Sequence, residues 1–429
     1  MPQTPLDPLT FLFFSLALVV VALLTIRRPC YGVAALVAAQ PFALYRDILG
    51  TTVTLPKVVL VAVIIGFTEH LPALHERLDK RARGLFLASF LMIAATAITL
   101  LQAQYRHPAM RETFKTLEYI LLFSAAFFCY RLDPNRSLLA KSVVYVTLVV
   151  SLLALGQEYF TAPSVLLVNG RTIPRIAGPL EGPNQLAGYL GLTLPLLFAL
   201  SAYERGRLAN WTLAVAMLAL FLTYSRAGVV PALISLAIVG ANVPFRLMRA
   251  QLTALLIGIV CGLGITGVWS ALTHSLAVFR FFSFAEVPNA GGVGSRSQLW
   301  PAAVMLWERH PLFGIGAGNF EFEIAQVGPH GIRTHANSIY LQALVEGGLP
   351  LFSATLWLTW VSISAYFKER LRSPLFLAAC AASIGLALHQ LFDYLTFYPK
   401  VGGWWWIILA LAAAEGGRLT ERGANDSTQ

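Results

Sequence analysis

Charge is scarce in this chain of 429 residues. Only 12% of the residues are Asp, Glu, Lys or Arg, whereas soluble domains carry about 25%. Hydrophobic residues make up 57%, which excludes an ordinary soluble enzyme and a disordered protein. The apolar runs are long and unbroken, unlike the alternating strand segments of about 10 residues that build a transmembrane β-barrel. The composition therefore predicts a polytopic membrane protein made of helices.

Cysteine is also scarce, and familiar cofactor motifs are missing. The four cysteines, at 30, 129, 261 and 380, lie in or beside apolar runs, without the spacing of metal ligands. No P-loop motif occurs, and no cluster of His, Cys, Asp and Glu has metal-ligand spacing. The sequence thus gives no support for an ATP-driven or a metal-hydrolase mechanism, and we expect neither a cofactor nor a metal.

Apolar segments long enough to cross a bilayer recur along the whole chain. We predict about 12–13 transmembrane helices, the first at residues 11–26 and the last at 404–414. Alternate short loops hold 18 of the 31 Lys and Arg residues. Because positive charge is retained on the cytoplasmic side, these loops and the C-terminus are expected there.

The opposite side carries two long segments, residues 156–184 and residues 270–337. The second contains an apolar helical stretch around Leu299 and Trp300, which we expect on the membrane face, and then a Gly-rich turn at 314–318. Loops longer than about 12–15 residues are usually functional or disordered, and this one is not of low complexity. We therefore predict three parts: transmembrane helices in 1–269 with the loop 156–184, a folded helical cap at 270–337, and final helices with a tail at 338–429.

Four arginines are predicted on the outer side of the membrane, where basic residues are normally depleted. They are Arg175, Arg226, Arg296 and Arg333. A single arginine there could equally be an interfacial anchor. Together, beside helix N-termini such as the one that opens near Asn184, they suit a phosphate group, because guanidinium binds phosphate in a bidentate manner and helix N-termini offer free N–H groups.

A histidine lies where the cap returns to the membrane. His335 is followed by Asn337, and Gln342 continues a polar stripe on the next apolar helix. A neutral imidazole in this place is suited to general base catalysis, although an interfacial histidine satisfied by backbone groups fits as well. Asp393 ends a later span on the same side. It could orient His335 or neutralise an arginine, or simply face water.

Three segments of the chain carry a resemblance to a known group of proteins. They read RIAGPLEGPNQLA at 175–187, YSRAG at 224–228, and WERHPLFGIGAGNF at 307–320 followed by HANSIYLQ at 335–342. The chain resembles the O-antigen ligase and O-antigen polymerase superfamily of bacterial envelope glycosyltransferases. Many members carry a second histidine two residues after the first, where this chain has Asn337.

The resemblance implies an all-α, GT-C-like enzyme with a helical periplasmic cap, in the bacterial inner membrane, with its active site facing the periplasm. Its donor would be an undecaprenyl diphosphate-linked glycan and its acceptor the lipid A–core. Membrane lipids would surround it, with no nucleotide sugar, metal or nucleic acid involved. We expect Arg226, Arg296 and His335 to be catalytic and the reaction to be inverting. The expected diphosphate- or glycan-binding residues are Arg175, Asn184, Arg333, Asn337, Gln342 and Asp393.

Three other functions remain open from the sequence. A polymerase or a protein O-oligosaccharyltransferase would use the same donor with a different acceptor. A transporter of lipid-linked glycans is the more distant alternative, since it should place ionisable groups near the bilayer midplane. Here the charges collect at one face, which favours a transferase.

Overall fold

A computed structural model describes residues 8–42, 44–48, 51–73, 78–157, 164–168, 171–204, 206–273, 296–328, 335–369 and 373–426. Within these ranges the chain is an all-α polytopic membrane protein, as predicted. The first and last predicted spans, 11–26 and 404–414, are helical, and six of the described helices are long and apolar enough to cross a membrane. The helices are α1 (Pro8–Arg27), α2 (Pro29–Ala39), α3 (Leu55–Phe67), α4 (Lys80–Ile98), α5 (Arg106–Leu132), α6 (Arg136–Leu155), α7 (Pro183–Glu204), α8 (Arg207–Leu222), α9 (Arg226–Gly240), α10 (Phe245–Thr273), α11 (Arg296–Arg309), α12 (Phe320–Glu323), α13 (Ile339–Glu369), α14 (Pro374–His389) and α15 (Pro399–Asp426).

Two short hairpins, which the sequence did not predict, accompany the helices. Strand β1 (Tyr45–Ile48) pairs with β2 (Thr51–Thr54), and β3 (Ser164–Val168) pairs with β4 (Arg171–Arg175), both antiparallel. The second hairpin lies within the predicted loop 156–184. Arg175 is therefore the last residue of a strand, shortly before the chain enters α7.

The core is formed by helices that are distant in sequence. α7 packs against α9 and α14, and α15 packs against α5. Hydrogen bonds between side chains join these helices: the indole of Trp404 donates to Thr193 Oγ1 (2.9 Å), and that of Trp405 donates to Ser383 Oγ (3.1 Å). Buried indole N–H groups need such partners, so the bonds fix α15 against α7 and α14.

The basic loops lie at one end of the helices, and the cluster of polar contacts around Asp393, described below, lies at the other end. At the basic end, Arg28 pairs with Asp133 (2.7 Å), and Arg136 pairs with the buried Glu415 on α15. The other end of α15 begins at Pro399, whose carbonyl accepts a bond from Gln40 (2.7 Å). With a rise of about 1.5 Å per residue, the two ends of α15 are far enough apart to be on opposite faces of a bilayer.

The described part of the cap packs onto α13 through α11. Leu299, Ala303 and Leu306 form its buried face, whereas Val304 is 37% exposed. The first three residues therefore face protein and not the membrane, which corrects the expectation for this stretch. Residues 274–295 and 329–334 lie outside the described ranges, and the predicted division into three parts stays a prediction.

Candidate active site

A chain of hydrogen bonds joins three of the predicted site residues. The guanidinium of Arg175 donates from Nη2 to Asn184 Oδ1 (2.9 Å), and Asn184 Nδ2 donates to Asp393 Oδ2 (2.9 Å). The other carboxylate oxygen of Asp393 accepts from the backbone N–H of Tyr394 (2.8 Å). Of the three roles considered for Asp393, these contacts support the link to an arginine. This link runs through the side-chain amide of Asn184, at the start of α7.

The same arginine is tied to the turn that precedes α9. Arg175 Nε donates to the carbonyl of Thr223 (2.7 Å), and the following residue, Tyr224, has a positive φ of 51°. Helix α9 begins at Arg226, which is half-buried, with Ser225 as its N-cap residue. Arg175 and Arg226 are thus held on either side of one short turn. The N-terminal end of α9, where the helix dipole places partial positive charge, lies at the same turn.

His335 is fixed by its backbone neighbours. The carbonyl of Ala336 accepts from Trp300 Nε1 (3.0 Å), and the N–H of Ala336 donates to Gln342 Oε1 (2.8 Å). Asn337 has a left-handed φ of 51°, a conformation that asparagine adopts more readily than most residues. Gln342 and Asn337 therefore shape the segment that presents His335.

The imidazole of His335 packs among aromatic rings at the rim of a cavity of about 50 Å³. Its ring centre lies 4.0 Å from that of Phe397 and 5.6 Å from that of Tyr394. Burial, and then the charge of Lys115, lowers the pKa of His335 from 6.5 to about 4, although Glu112 and Asp393 act in the opposite direction. The imidazole is therefore neutral at pH 7, so it can accept a hydrogen bond from a hydroxyl group.

The other two predicted arginines, Arg296 and Arg333, are described only in part or not at all. Arg296 is the first residue of α11, and its side chain lies outside the described set. One turn later Trp300 contacts the carbonyl beside His335, so α11 starts near that histidine. Arg333 lies outside the described residues.

Comparison with known proteins gives one family. Residues 211–356 match the O-antigen ligase family model. We call residues 211–356, which are similar to this family, the ligase domain. A search of curated proteins found no match.

The ligase domain covers about a third of the chain and includes Arg226, Arg296 and His335. Arg175, Asn184 and Asp393 lie outside the matched residues. They nevertheless contact the ligase domain, because Arg175 is bonded to Thr223.

The Gly-rich turn of the ligase domain brings two backbone segments together. The N–H of Gly316, at a φ of 104°, donates to the carbonyl of Glu346 on α13 (2.9 Å). A Cβ atom at Gly314 would lie 2.4 Å from the same carbonyl oxygen, so only glycine allows this approach. The Glu346 side chain also accepts from the N–H of Phe320 (3.2 Å). The turn therefore packs its backbone directly against α13.

Two charged residues near His335 were not among the predicted site residues. Lys115 and Glu112, on α5, are joined by an ion pair (2.6 Å), and Glu112 lines the cavity beside His335. The signal in the sequence was the run of charged residues at 106–118 in an otherwise apolar region. Among the described residues, no group of three His, Cys, Asp or Glu side chains is arranged to hold a metal ion.

Proposed function

We propose that this protein is a membrane glycosyltransferase that moves a glycan from undecaprenyl diphosphate to the lipid A–core at the periplasmic face of the inner membrane. The single observation that carries the proposal is the arrangement of Arg175 and Arg226 around one turn of an O-antigen ligase domain that also contains the neutral His335. Two guanidinium groups and a helix N-terminus suit a diphosphate, and a neutral imidazole suits a hydroxyl.

The proposed reaction is a direct displacement at the anomeric carbon. An oxygen of the acceptor attacks this carbon from the face opposite the diphosphate, and the bond to the diphosphate oxygen breaks, which inverts the anomeric centre. Negative charge grows on the leaving diphosphate, and arginines positioned beforehand stabilise it. With Arg226 and Arg296 beside the diphosphate, the protein itself supplies this positive charge.

His335 is assigned to the acceptor. As the acceptor hydroxyl attacks, its proton moves to the neutral imidazole and is then released to water. An imidazole with a pKa of about 4 is a weak base, so its first contribution is to orient the hydroxyl. Negative charge on a bound diphosphate favours the imidazolium form, which strengthens the base when the donor is present.

Gel analysis of lipopolysaccharide from cells that lack the gene tests this proposal. A ligase predicts lipid A–core without attached glycan, together with lipid-linked glycan that accumulates at full length. A polymerase predicts lipid-linked chains of a single repeat, and a protein O-oligosaccharyltransferase predicts unchanged lipopolysaccharide with unglycosylated proteins. Complementation with the gene carrying Arg226→Ala should restore nothing, provided that the variant accumulates in the membrane.

A further inference from the structure

Lys115 is held in one position by three contacts. Its Nζ atom lies 2.6 Å from Glu112 Oε2, donates to the backbone carbonyl of Phe397 (3.1 Å), and sits 4.1 Å from the centre of the Phe397 ring. The side chain is 15% exposed, so these contacts are made largely away from water. A cation at this distance from an aromatic ring is attracted to it, and more strongly where it is desolvated.

Phe397 in turn contacts the imidazole of His335, at 4.0 Å between ring centres. The short segment that carries Phe397 is itself anchored, because Thr396 donates to Gln390 Oε1 from its hydroxyl (2.9 Å) and its carbonyl accepts from Tyr119 (2.9 Å). Lys115, Phe397 and His335 therefore form a continuous stack between α5 and the segment before α13.

We propose that Lys115 is a positioning residue for His335, because it holds Phe397 against the imidazole. This inference rests on the proposed function only for the catalytic meaning of His335. The geometry itself is independent of which glycan or acceptor is used.

Several other groups face the same cavity and set the electrostatic balance. Glu112 on α5, Glu321 on α12 and Glu346 on α13 line it, together with Arg111 and Tyr394. Glu112 and Asp393 favour the imidazolium form, whereas burial and Lys115 oppose it. Removal of the lysine charge should therefore favour protonation of His335, and removal of the Glu112 charge should oppose it.

The test measures how readily His335 is protonated, without any need for turnover. Diethyl pyrocarbonate reacts with neutral but not with protonated imidazole, so its rate at His335, followed by mass spectrometry between pH 3 and pH 7, gives the pKa of this group. Lys115→Met should raise that pKa by about one unit, Glu112→Gln should lower it, and Lys115→Arg should leave it near the wild-type value. Lys57→Met is the matched control, because Lys57 on α3 is also paired with a glutamate of α5, Glu118 (3.9 Å).

Transfer assays with the same variants give the second readout. Lys115→Met should lower kcat about 10-fold or more at pH 7 with little change in the KM for the donor, since a displaced base slows chemistry without weakening donor binding. Lys115→Arg should restore most of the loss. The inference is overturned if Lys115→Met matches Lys57→Met in the pKa of His335. It is also overturned if Lys115→Met raises the KM for the donor and leaves kcat intact, which would place Lys115 on the diphosphate. A wild-type protein without transfer activity would contradict the proposed function alone.

Discussion

The substitution Asp393→Asn should break the chain of hydrogen bonds that joins Asp393 to Arg175 through Asn184, although it replaces only one heavy atom. Both groups bonded to the carboxylate are donors: Asn184 Nδ2 (2.9 Å) and the N–H of Tyr394 (2.8 Å). An amide offers one oxygen in place of two, so one of these donors must face an N–H₂ group. If Asn184 turns its amide over to accept from the new side chain, its own N–H₂ group then faces the guanidinium of Arg175, which is also a donor.

The expected loss of stability follows from this count of donors. Hydrogen bonds to a charged group contribute about 1.5–3 kcal/mol each, and Asp393 is only 6% exposed, so water cannot easily replace the lost bond. We expect a loss of about 1.5–3 kcal/mol in the free energy of unfolding if the segment stays in place. If the amide of Asn184 flips instead, stability is spared but Arg175 is displaced, and a shift of about 1 Å can lower the rate about 10²-fold.

The two changes are measured by thermal unfolding in detergent and by single-turnover glycan transfer. Combining Asp393→Asn with Asn184→Asp should restore both stability and transfer. The carboxylate now at position 184 accepts from Arg175 and from the amide N–H₂ at position 393, and the amide oxygen at position 393 accepts from the N–H of Tyr394. Asp79→Asn is the matched control: Asp79 accepts one bond, from the N–H of Ala82 (2.7 Å), which asparagine can also accept. Wild-type stability and transfer in Asp393→Asn, or a double variant no better than the single one, would refute this reasoning.

Four further tests address other parts of the account. Arg226→Ala should cost about 2–4 kcal/mol of transition-state stabilisation in kcat/KM, and Arg226→Lys should also impair transfer because lysine lacks the bidentate fork; normal kinetics in both would place the diphosphate elsewhere. Since the pKa of His335 is about 4 in the protein without donor, kcat/KM for the donor should stay constant from pH 8 to about pH 5 and fall as the imidazole is protonated at lower pH, whereas a midpoint near 6.5 would contradict the burial of this group. His335→Gln keeps a hydrogen bond but cannot take the proton, so its kcat separates positioning from base catalysis. Gly316→Ala should destabilise the protein by about 1–3 kcal/mol, because its φ is 104° and the new Cβ would lie 2.6 Å from that of Ala103; Gly264→Ala, with no atom within 4 Å, should not.

The sequence was sufficient for the helices because hydropathy acts locally. A run of about 20 apolar residues has few alternatives to a helix in a bilayer, so the predicted first and last spans are helical in the structure. The resemblance to O-antigen ligases was likewise confirmed, because motifs such as YSRAG at 224–228 lie within the matched residues. Glycine spacing at 314–318 also had a local meaning, a turn that allows close backbone approach.

The contacts within the site could not be predicted, because they join residues far apart in the chain. Nothing near Asn184 indicates that it bonds to Asp393, 209 residues later. Likewise, Lys115 donates a hydrogen bond to the carbonyl of Phe397, which is 282 residues away. The β3–β4 hairpin was missed since its strands are only five residues long, and the buried face of α11 was assigned to the membrane because an apolar stripe does not identify what covers it.

The central claim is tested most directly by transfer with the purified protein in detergent, without an ion gradient, nucleotide sugar or added metal. The substrates are an undecaprenyl diphosphate-linked glycan and lipid A–core, and the products are separated by mass spectrometry. The account predicts lipid A–core that carries one glycan block with an inverted linkage, and one undecaprenyl diphosphate released for each block transferred. A ladder of longer lipid-linked chains, or no transfer by a folded protein that still binds the donor, would contradict it.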